Sequence, residues 1–211
     1  MNRKTGILAL LLILTVISPG IGQQTEEIKP DKQLKGGIVT SRLAGTEWSS
    51  TASPGFAIGI SLDFRFSQLF SVQPELYYVE KGGREAVDEL NTEFDLALDY
   101  VEVPLLAKFH LPASGMIRPH AYLGPYAGFL IQNSSNIEVM DARVSTPDKL
   151  IEDAATSDFG ATLGAGAYML FPFNTMSIEV RYSRGFTDAF AGSENSSSTN
   201  STVMFMVGFR F

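Results

Sequence analysis

The last segment of the chain, 202–211, alternates between two chemically different faces. Every second residue from 203 to 211 is Val or Phe, whereas the residues between them are mixed and include the charge of Arg210. Alternation with a period of two is typical of a β-strand whose two sides meet different environments. The segment also has the length of a tilted strand that crosses a bilayer, about 9–11 residues. A soluble edge strand with so bare an aromatic face would promote aggregation. The segment therefore predicts the closing strand of a transmembrane β-barrel.

Earlier segments alternate in the same way to differing degrees, separated by polar or glycine-rich breakers. With the last one they give eight predicted strands, at residues 34–43, 55–66, 70–81, 96–111, 118–132, 159–171, 176–186 and 202–211. The pattern of 118–132 does not fix which face points inward. The connections are short after the second, fourth and sixth strands and long elsewhere, as in outer-membrane barrels with short periplasmic turns and long extracellular loops. The predicted fold is all-β, an eight-stranded antiparallel up-and-down transmembrane β-barrel over residues 34–211.

The N-terminus has the plan of a secretory signal peptide. Arg3 and Lys4 make a basic start, and the apolar run 7–17 and small residues follow before Gln23. This order predicts a signal peptide over 1–22 and export to the outer membrane, with 23–33 as a charged periplasmic leader. The chain has no cysteine, which excludes disulfides and lipid attachment through an N-terminal cysteine. Its 16 basic and 23 acidic residues argue against nucleic acid as a partner.

Strict alternation turns several charged residues toward the barrel interior. An eight-stranded barrel is just wide enough to be filled by side chains, so we expect these charges to pair in a largely dry, structural network. Pairing avoids the cost of several kcal/mol that an isolated buried ion carries. A proton or ion path is the functional alternative. The predicted interior charges are Asp63, Arg65, Glu75, Glu102, Lys108, Glu179, Arg181 and Arg210.

Three prolines stand against an uninterrupted barrel. Pro74, Pro104 and Pro125 lie inside predicted strands, and proline cannot donate a hydrogen bond to a β-ladder. Each position is therefore predicted to carry either a β-bulge or a missing ladder bond.

Two motifs resemble the PorT-like outer-membrane β-barrel family of Bacteroidetes-type bacteria. They are the stretches 73–78 (Gln-Pro-Glu-Leu-Tyr-Tyr), with Lys-Gly-Gly at 81–83, and 100–108, which contains Tyr-Val-Glu-Val-Pro-Leu-Leu. The glycine-rich pieces at 124–128 and 158–166 are similar to later strands of that family. The resemblance covers about residues 34–211 and implies an eight-stranded outer-membrane barrel that tolerates proline at these places. One branch of the family is linked to secretion and gliding machinery, which implies an accessory role in secretion or surface assembly.

Sequence signals for catalysis are weak, and no cofactor is predicted. The Gly-x-Ser-x-Gly elbow and a phosphate-binding loop are absent. The chain has two histidines, His110 and His120, which flank a short predicted turn at 112–117. We expect them to be neighbouring residues of the periplasmic rim rather than catalytic groups or metal ligands, since a zinc site needs further ligands close by.

The predicted function is therefore non-enzymatic, either structural or binding. Long loops on a rigid scaffold commonly carry binding sites, so loops 82–95 and 133–157 are candidate contacts for a partner protein or surface polysaccharide. Outer-membrane lipid and the barrel-assembly machinery, the latter through the strand that ends at Phe211, are the other expected partners. Two alternatives stay open. The first is a secreted lipocalin-like carrier, whose apolar face would point inward around a ligand, and the second is a membrane-barrel hydrolase.

Overall fold

The protein is a β-structure throughout its described parts. A computed structural model describes residues 29–45, 51–87, 92–139, 142–145, 156–187 and 198–211. The strands are β1 Asp31–Gly45, β2 Thr51–Arg65, β3 Phe70–Val87, β4 Thr92–His110, β5 Ile117–Val139, β6 Ala142–Ser145, β7 Ser157–Leu170, β8 Thr175–Gly185 and β9 Ser198–Arg210. Within these ranges no helix is long and apolar enough to span a membrane. The predicted signal peptide, 1–22, lies outside the described residues.

Eight of the strands close into a barrel. Each strand pairs antiparallel with its neighbours along the chain, with β7 following β5, and the last strand returns to the first through pairs such as Gly36↔Val207. Among the described strands, the short strand β6 pairs with the end of β5 alone and stands outside the ring. Short turns join β2 to β3, β4 to β5 and β7 to β8, and the end at which they lie is called the short-turn end. The predicted eight-stranded up-and-down barrel is confirmed.

The apolar side chains point outward. Ile38, Leu163 and Phe205 are 66%, 59% and 54% exposed, whereas the charged side chains Lys35 and Glu179 are each 1% exposed. An apolar exterior around a polar interior is the arrangement of a barrel dissolved in lipid. A lipocalin-like carrier needs the opposite arrangement, so that alternative is wrong for this chain.

The sequence left open which face of β5 points inward, and the structure shows that its tyrosine residues do. Tyr122 and Tyr126 are buried in the lumen, while Leu123 and Phe129 between and beyond them are exposed. Each tyrosine ring lies over a glycine of the neighbouring β7. A Cβ atom on Gly164 would stand 2.5 Å from the Tyr122 ring, and one on Gly160 would meet Tyr126 in the same way. The glycines therefore make room for the rings that fill the lumen.

Gly164→Ala should destabilise the barrel by about 1–3 kcal/mol, the usual cost of overpacking. Tyr122 cannot swing aside freely, because its hydroxyl donates to Glu179 at 3.2 Å and accepts from Arg181 at 3.2 Å. Urea unfolding of the folded barrel in detergent, followed by far-UV circular dichroism, measures the loss. Gly36→Ala is the matched control, because its new methyl would meet nothing nearer than a carbonyl oxygen at 3.6 Å. Equal losses in the two variants would contradict the proposed role of Gly164.

The three prolines are accommodated by missing ladder pairs, not by bulges. Pro74, Pro104 and Pro125 lie on the adjoining strands β3, β4 and β5. Between β3 and β4 the pairing passes from Pro74↔Leu105 to Tyr77↔Glu102 without a shift of register, and the β4–β5 pairing likewise skips two residues beyond Pro104↔Tyr126. Of the two predicted solutions, the structure uses the one in which the ladder loses a bond.

Two segments predicted as loops contain paired strands. The predicted loop 82–95 is largely a continuation of the β3–β4 hairpin, which stays paired as far as Val87↔Thr92. The predicted loop 133–157 contains the end of β5, which pairs with β4 up to Val139, and the added strand β6. These strands were predicted as loops because 82–95 and 133–157 lack a continuous alternation of apolar residues.

Candidate functional site

The middle of the barrel interior holds a buried cluster of charged side chains from four strands. This central cluster comprises Lys35, Glu75, Lys108, Glu179 and Arg181. The ammonium nitrogen of Lys35 lies 2.9 Å from Glu179 and 3.2 Å from Glu75. Arg181 Nη1 is 2.7 Å from the second oxygen of Glu75, and Lys108 Nζ is 3.5 Å from Glu179. Opposite charges therefore alternate across the lumen and tie β1, β3, β4 and β8 together.

A tyrosine connects a further carboxylate to the central cluster. The hydroxyl of Tyr168 accepts a hydrogen bond from Lys108 at 2.6 Å and donates one to Asp63 at 3.0 Å. Lys108 also donates to the amide oxygen of Gln73 at 2.9 Å. With Asp63, three carboxylates match the three cations of the cluster. This balance allows the charges to be buried, because an unpaired ion would cost several kcal/mol.

Toward the end of the barrel opposite the short-turn end, called the long-loop end, the lumen becomes apolar on one side and then charged again. The apolar patch consists of Val39, Ala57, Tyr77, Val79, Met204 and Met206. Beyond it Lys81 lies 2.5 Å from Glu102 and 2.9 Å from Asp158. Asp158 also accepts hydrogen bonds from Tyr126 and Asn200, both at 3.1 Å. This outer cluster and the central cluster together fill the lumen with side chains.

The structure separates the eight predicted interior charges into two groups. Arg65 and Arg210 are exposed at the short-turn end, so their prediction as buried interior residues is wrong. Alternation assigned them to the inward face correctly, but each lies at the last position of its strand, where the lumen opens to solvent. Arg210 pairs there with Asp31. The buried residues are Asp63, Glu75, Glu102, Lys108, Glu179 and Arg181.

Three charged residues of the interior were not singled out by the sequence. Lys35, Lys81 and Asp158 are buried and hold the two clusters together. Lys35 lies in a glycine-containing first strand whose faces were not assigned. Lys81 is the last residue of the predicted strand 70–81, and Asp158 directly precedes the predicted strand 159–171. Following the alternation to the end of the first of these strands, and extending it by one residue in the second, would have found both.

The two histidines are neighbours, but only one is near the rim. His110 pairs with His120 across β4 and β5, and their ring centroids are 6.3 Å apart. His120 is 1% exposed, its ring centroid lies 4.6 Å from that of Tyr168 in a tilted arrangement, and its Nε2 lies 3.3 Å from Glu179. The rim prediction is therefore wrong for His120, because β5 turns it toward the central cluster. Within the described residues no group of three His, Asp or Glu side chains has the geometry of a metal site.

A serine–histidine pair occurs at the short-turn end, but its surroundings differ from those of a hydrolase. Ser71 Oγ lies 2.8 Å from Nε2 of His110. In a serine hydrolase the other ring nitrogen donates to a carboxylate, whereas here the guanidinium of Arg65 lies 3.3 Å from Nδ1. A cation at that position disfavours the imidazolium that general-base catalysis must form. Ser71 is also fully buried, at 0% exposure, so a substrate has no direct approach to its hydroxyl.

Comparison with known proteins identifies the family of this barrel. The sequence profile of the family described as outer membrane protein beta-barrel domain matches residues 24–191. The chain belongs to this family. No curated protein matches the sequence.

Solved structures similar to this outer-membrane protein β-barrel domain are small barrels. The outer membrane protein OprG from Pseudomonas aeruginosa is 11% identical with a TM-score of 0.53, over 87% of this chain and 97% of that chain. The attachment invasion locus protein Ail of Yersinia pestis is 16% identical, with a TM-score of 0.44 over 87% and 99%. The outer membrane enzyme PagL is 14% identical, with a TM-score of 0.44 over 81% and 97%. At such identities the OprG similarity shows the fold alone.

Proposed function

We propose that this chain is a non-enzymatic, non-conducting outer-membrane barrel that carries a binding surface outside the membrane. The observation that carries the proposal is the unequal length of its strands. β8 has 11 residues, whereas β3, β4 and β5 have 18, 19 and 23. Since about 9–11 residues suffice to cross a bilayer, these three strands continue well beyond it at the long-loop end.

The extension is a sheet, not a set of separate loops. β3 and β4 stay paired to their ends, β4 pairs with β5 up to Thr92↔Val139, and β6 adds a fourth strand through Val139↔Ala142. A continuous hydrogen-bonded sheet fixes the position of whatever side chains it carries. Binding residues on a rigid support lose little conformational freedom when a partner docks.

The composition of the β3–β4 hairpin suggests the charge of the partner. Residues 82–95 contain five acidic residues and one basic residue, Arg84. Electrostatic complementarity speeds association and selects against partners of the same charge. A protein or polysaccharide that carries positive groups is therefore the favoured partner. The resemblance to the PorT-like family supports an accessory role in secretion or surface assembly, and a signal peptide over 1–22 would supply the export route.

Two experiments test location and binding in turn. Cells expressing the full chain are fractionated, and the outer-membrane fraction is run on a gel with and without boiling; we expect recovery there and a heat-dependent change of mobility. Two variants are then used in cross-linking on intact cells: one lacks 136–155, and the other carries Glu85→Gln, Glu93→Gln and Asp95→Asn in the β3–β4 hairpin. We expect both to lose partner adducts while keeping the mobility change. A variant shortened within residues 188–197 serves as the control. Unchanged adducts in both variants would overturn the binding proposal.

The wild-type barrel should not conduct ions when reconstituted in a planar bilayer. The reason is the filled lumen, in which Lys35 spans from Glu179 to Glu75 and Lys81 from Glu102 to Asp158. Current recordings in potassium chloride, with a porin as a positive control, measure this directly. Regular single-channel steps from protein that is folded by the mobility criterion would contradict the proposal and favour an ion path through the interior.

A further inference from the structure

The short-turn end of the barrel opens into a ring of inward-facing residues with an excess of positive charge. Arg65 ends β2, Arg118 lies at the start of β5 and Arg210 ends β9, each on the inward face of its strand. These three guanidinium groups line one cavity of about 70 Å³, together with Asp31, Gln33 and Tyr168. This cavity and its three arginines are called the arginine mouth. Asp31 is the single carboxylate among the described residues that line it.

Two of the three arginines have no carboxylate partner in the described parts of the chain. Arg210 is paired with Asp31. Among the described residues, the polar contacts of Arg65 are to the ring nitrogens of His110, at 3.3 and 3.4 Å, and Arg118 makes no ion pair. Asp63, two residues before Arg65 on β2, accepts a hydrogen bond from the hydroxyl of Tyr168 through Oδ2 at 3.0 Å and forms no ion pair with either arginine. Like charges that converge on one cavity repel each other unless an anion lies between them.

The volume of the arginine mouth and the hydrogen-bond donors of its arginines suit a phosphate group. Its volume of about 70 Å³ is several times what one water molecule requires. Guanidinium groups present planar pairs of N–H donors that match the oxygen atoms of phosphate. Arg65 and Arg118 also line a wider, open pocket of about 540 Å³ between the turns at 66–69 and 111–113. The remainder of a larger ligand has room there, while its phosphate occupies the inner cavity.

We infer that the arginine mouth is a binding site for a phosphate group, held by the guanidinium groups of Arg65 and Arg118 with Arg210 beside them. The phosphate is either that of a soluble periplasmic compound or that of a lipid headgroup at the rim. That the arginine mouth faces the periplasm rests on the proposed outer-membrane location. The inference that it binds phosphate does not depend on that location. A purified barrel that binds phosphate and is not found in the outer membrane would overturn the location and leave this inference standing.

The test is a titration of the full barrel, folded in an uncharged maltoside detergent, with inorganic phosphate. The Nε–Hε resonances of 15N-labelled arginine are followed by NMR, with sodium chloride of equal ionic strength as the reference titration. We expect two arginine resonances, those lost in Arg65→Gln and Arg118→Gln, to shift and saturate with phosphate but not with chloride. The double variant should weaken phosphate binding at least tenfold.

Controls separate a specific site from general attraction. Arg184→Gln removes an exposed arginine near the opposite end of β8 and should leave the affinity unchanged. Arg65→Lys keeps the charge without the paired donors and should bind more weakly than the wild type but better than Arg65→Gln. Mobility before and after boiling verifies that each variant is folded. Equal responses to phosphate and chloride, or an equal loss in Arg184→Gln, would overturn the inference.

A second arm identifies the source of the phosphate. The titration is repeated in nanodiscs of phosphatidylglycerol. If a headgroup fills the mouth, the same two resonances are already shifted and inorganic phosphate no longer moves them. If the ligand is soluble, the titration matches that in detergent. Either result supports a phosphate site, whereas unshifted resonances that also fail to respond to phosphate would contradict it.

Discussion

Glu179→Gln should lower the free energy of unfolding of the barrel by about 3–5 kcal/mol, the range found when one partner of a buried ion pair is removed. The carboxylate lies 2.9 Å from Lys35 and 3.5 Å from Lys108, with Arg181 Nη2 at 3.8 Å. The amide of the glutamine keeps the shape of the side chain but removes its charge. The cations around position 179 therefore lose a shared counter-ion in a place where water cannot replace it. Equilibrium unfolding in urea, followed by far-UV circular dichroism, measures the difference.

An exposed ion pair of the same barrel provides the matched control. The pair Arg210–Asp31 lies at the short-turn end with side chains 48% and 33% exposed. Exposed pairs contribute about 0–1 kcal/mol, so Arg210→Gln should have a small effect. If the two variants lost the same stability, the central cluster would be hydrated and not dry. The filled-lumen argument for a non-conducting barrel would then fail as well.

The fold was predictable because the membrane imposes a strict pattern on the sequence. A strand in lipid must turn every second side chain outward as an apolar group, and this signal is unambiguous in β2, β8 and β9. Backbone groups in lipid also need partners within the protein, which requires closure of the sheet. The alternation of short and long connections then fixed the order of the strands.

The interior was predictable only as far as the alternation was clear. Glu179 and Arg181 follow directly from the pattern of β8, and both lie in the central cluster. Lys35 was missed because Gly36 and Gly37 beside it weaken the pattern of β1. The positions of His120 and Tyr122 depended on the facing of β5, which a run of tyrosine and glycine on both faces does not reveal. Which acidic residue pairs with which basic residue depends on the relative positions of strands that are distant in the chain. A single sequence does not contain that information.

Val180→Lys should destabilise the folded barrel in a bilayer by about 2–4 kcal/mol, the cost of a basic residue at the bilayer midplane of a barrel. Val180 is the central residue of β8, which runs from Thr175 to Gly185, and its side chain is 45% exposed on the outer face. The neighbouring Glu179 tolerates its charge because it points into the lumen, where Lys35 neutralises it. A lysine at 180 points into lipid, and the sheet separates it from every interior carboxylate. Urea unfolding from phospholipid vesicles measures the loss.

A lysine substitution at a different depth along the barrel is the control that identifies lipid as the cause of the lost stability. Ile117 begins β5 near the short-turn end and is more exposed than Val180, at 61%. A basic residue near the interface costs about 0–1 kcal/mol, so Ile117→Lys should be nearly neutral although it removes an equally apolar side chain. In a protein surrounded by water the difference would largely vanish, because neither exposed site would penalise a charge. We therefore expect a large loss of stability for Val180→Lys and a small one for Ile117→Lys. That combination requires the outer face of the barrel to be dissolved in a bilayer, with β8 spanning it.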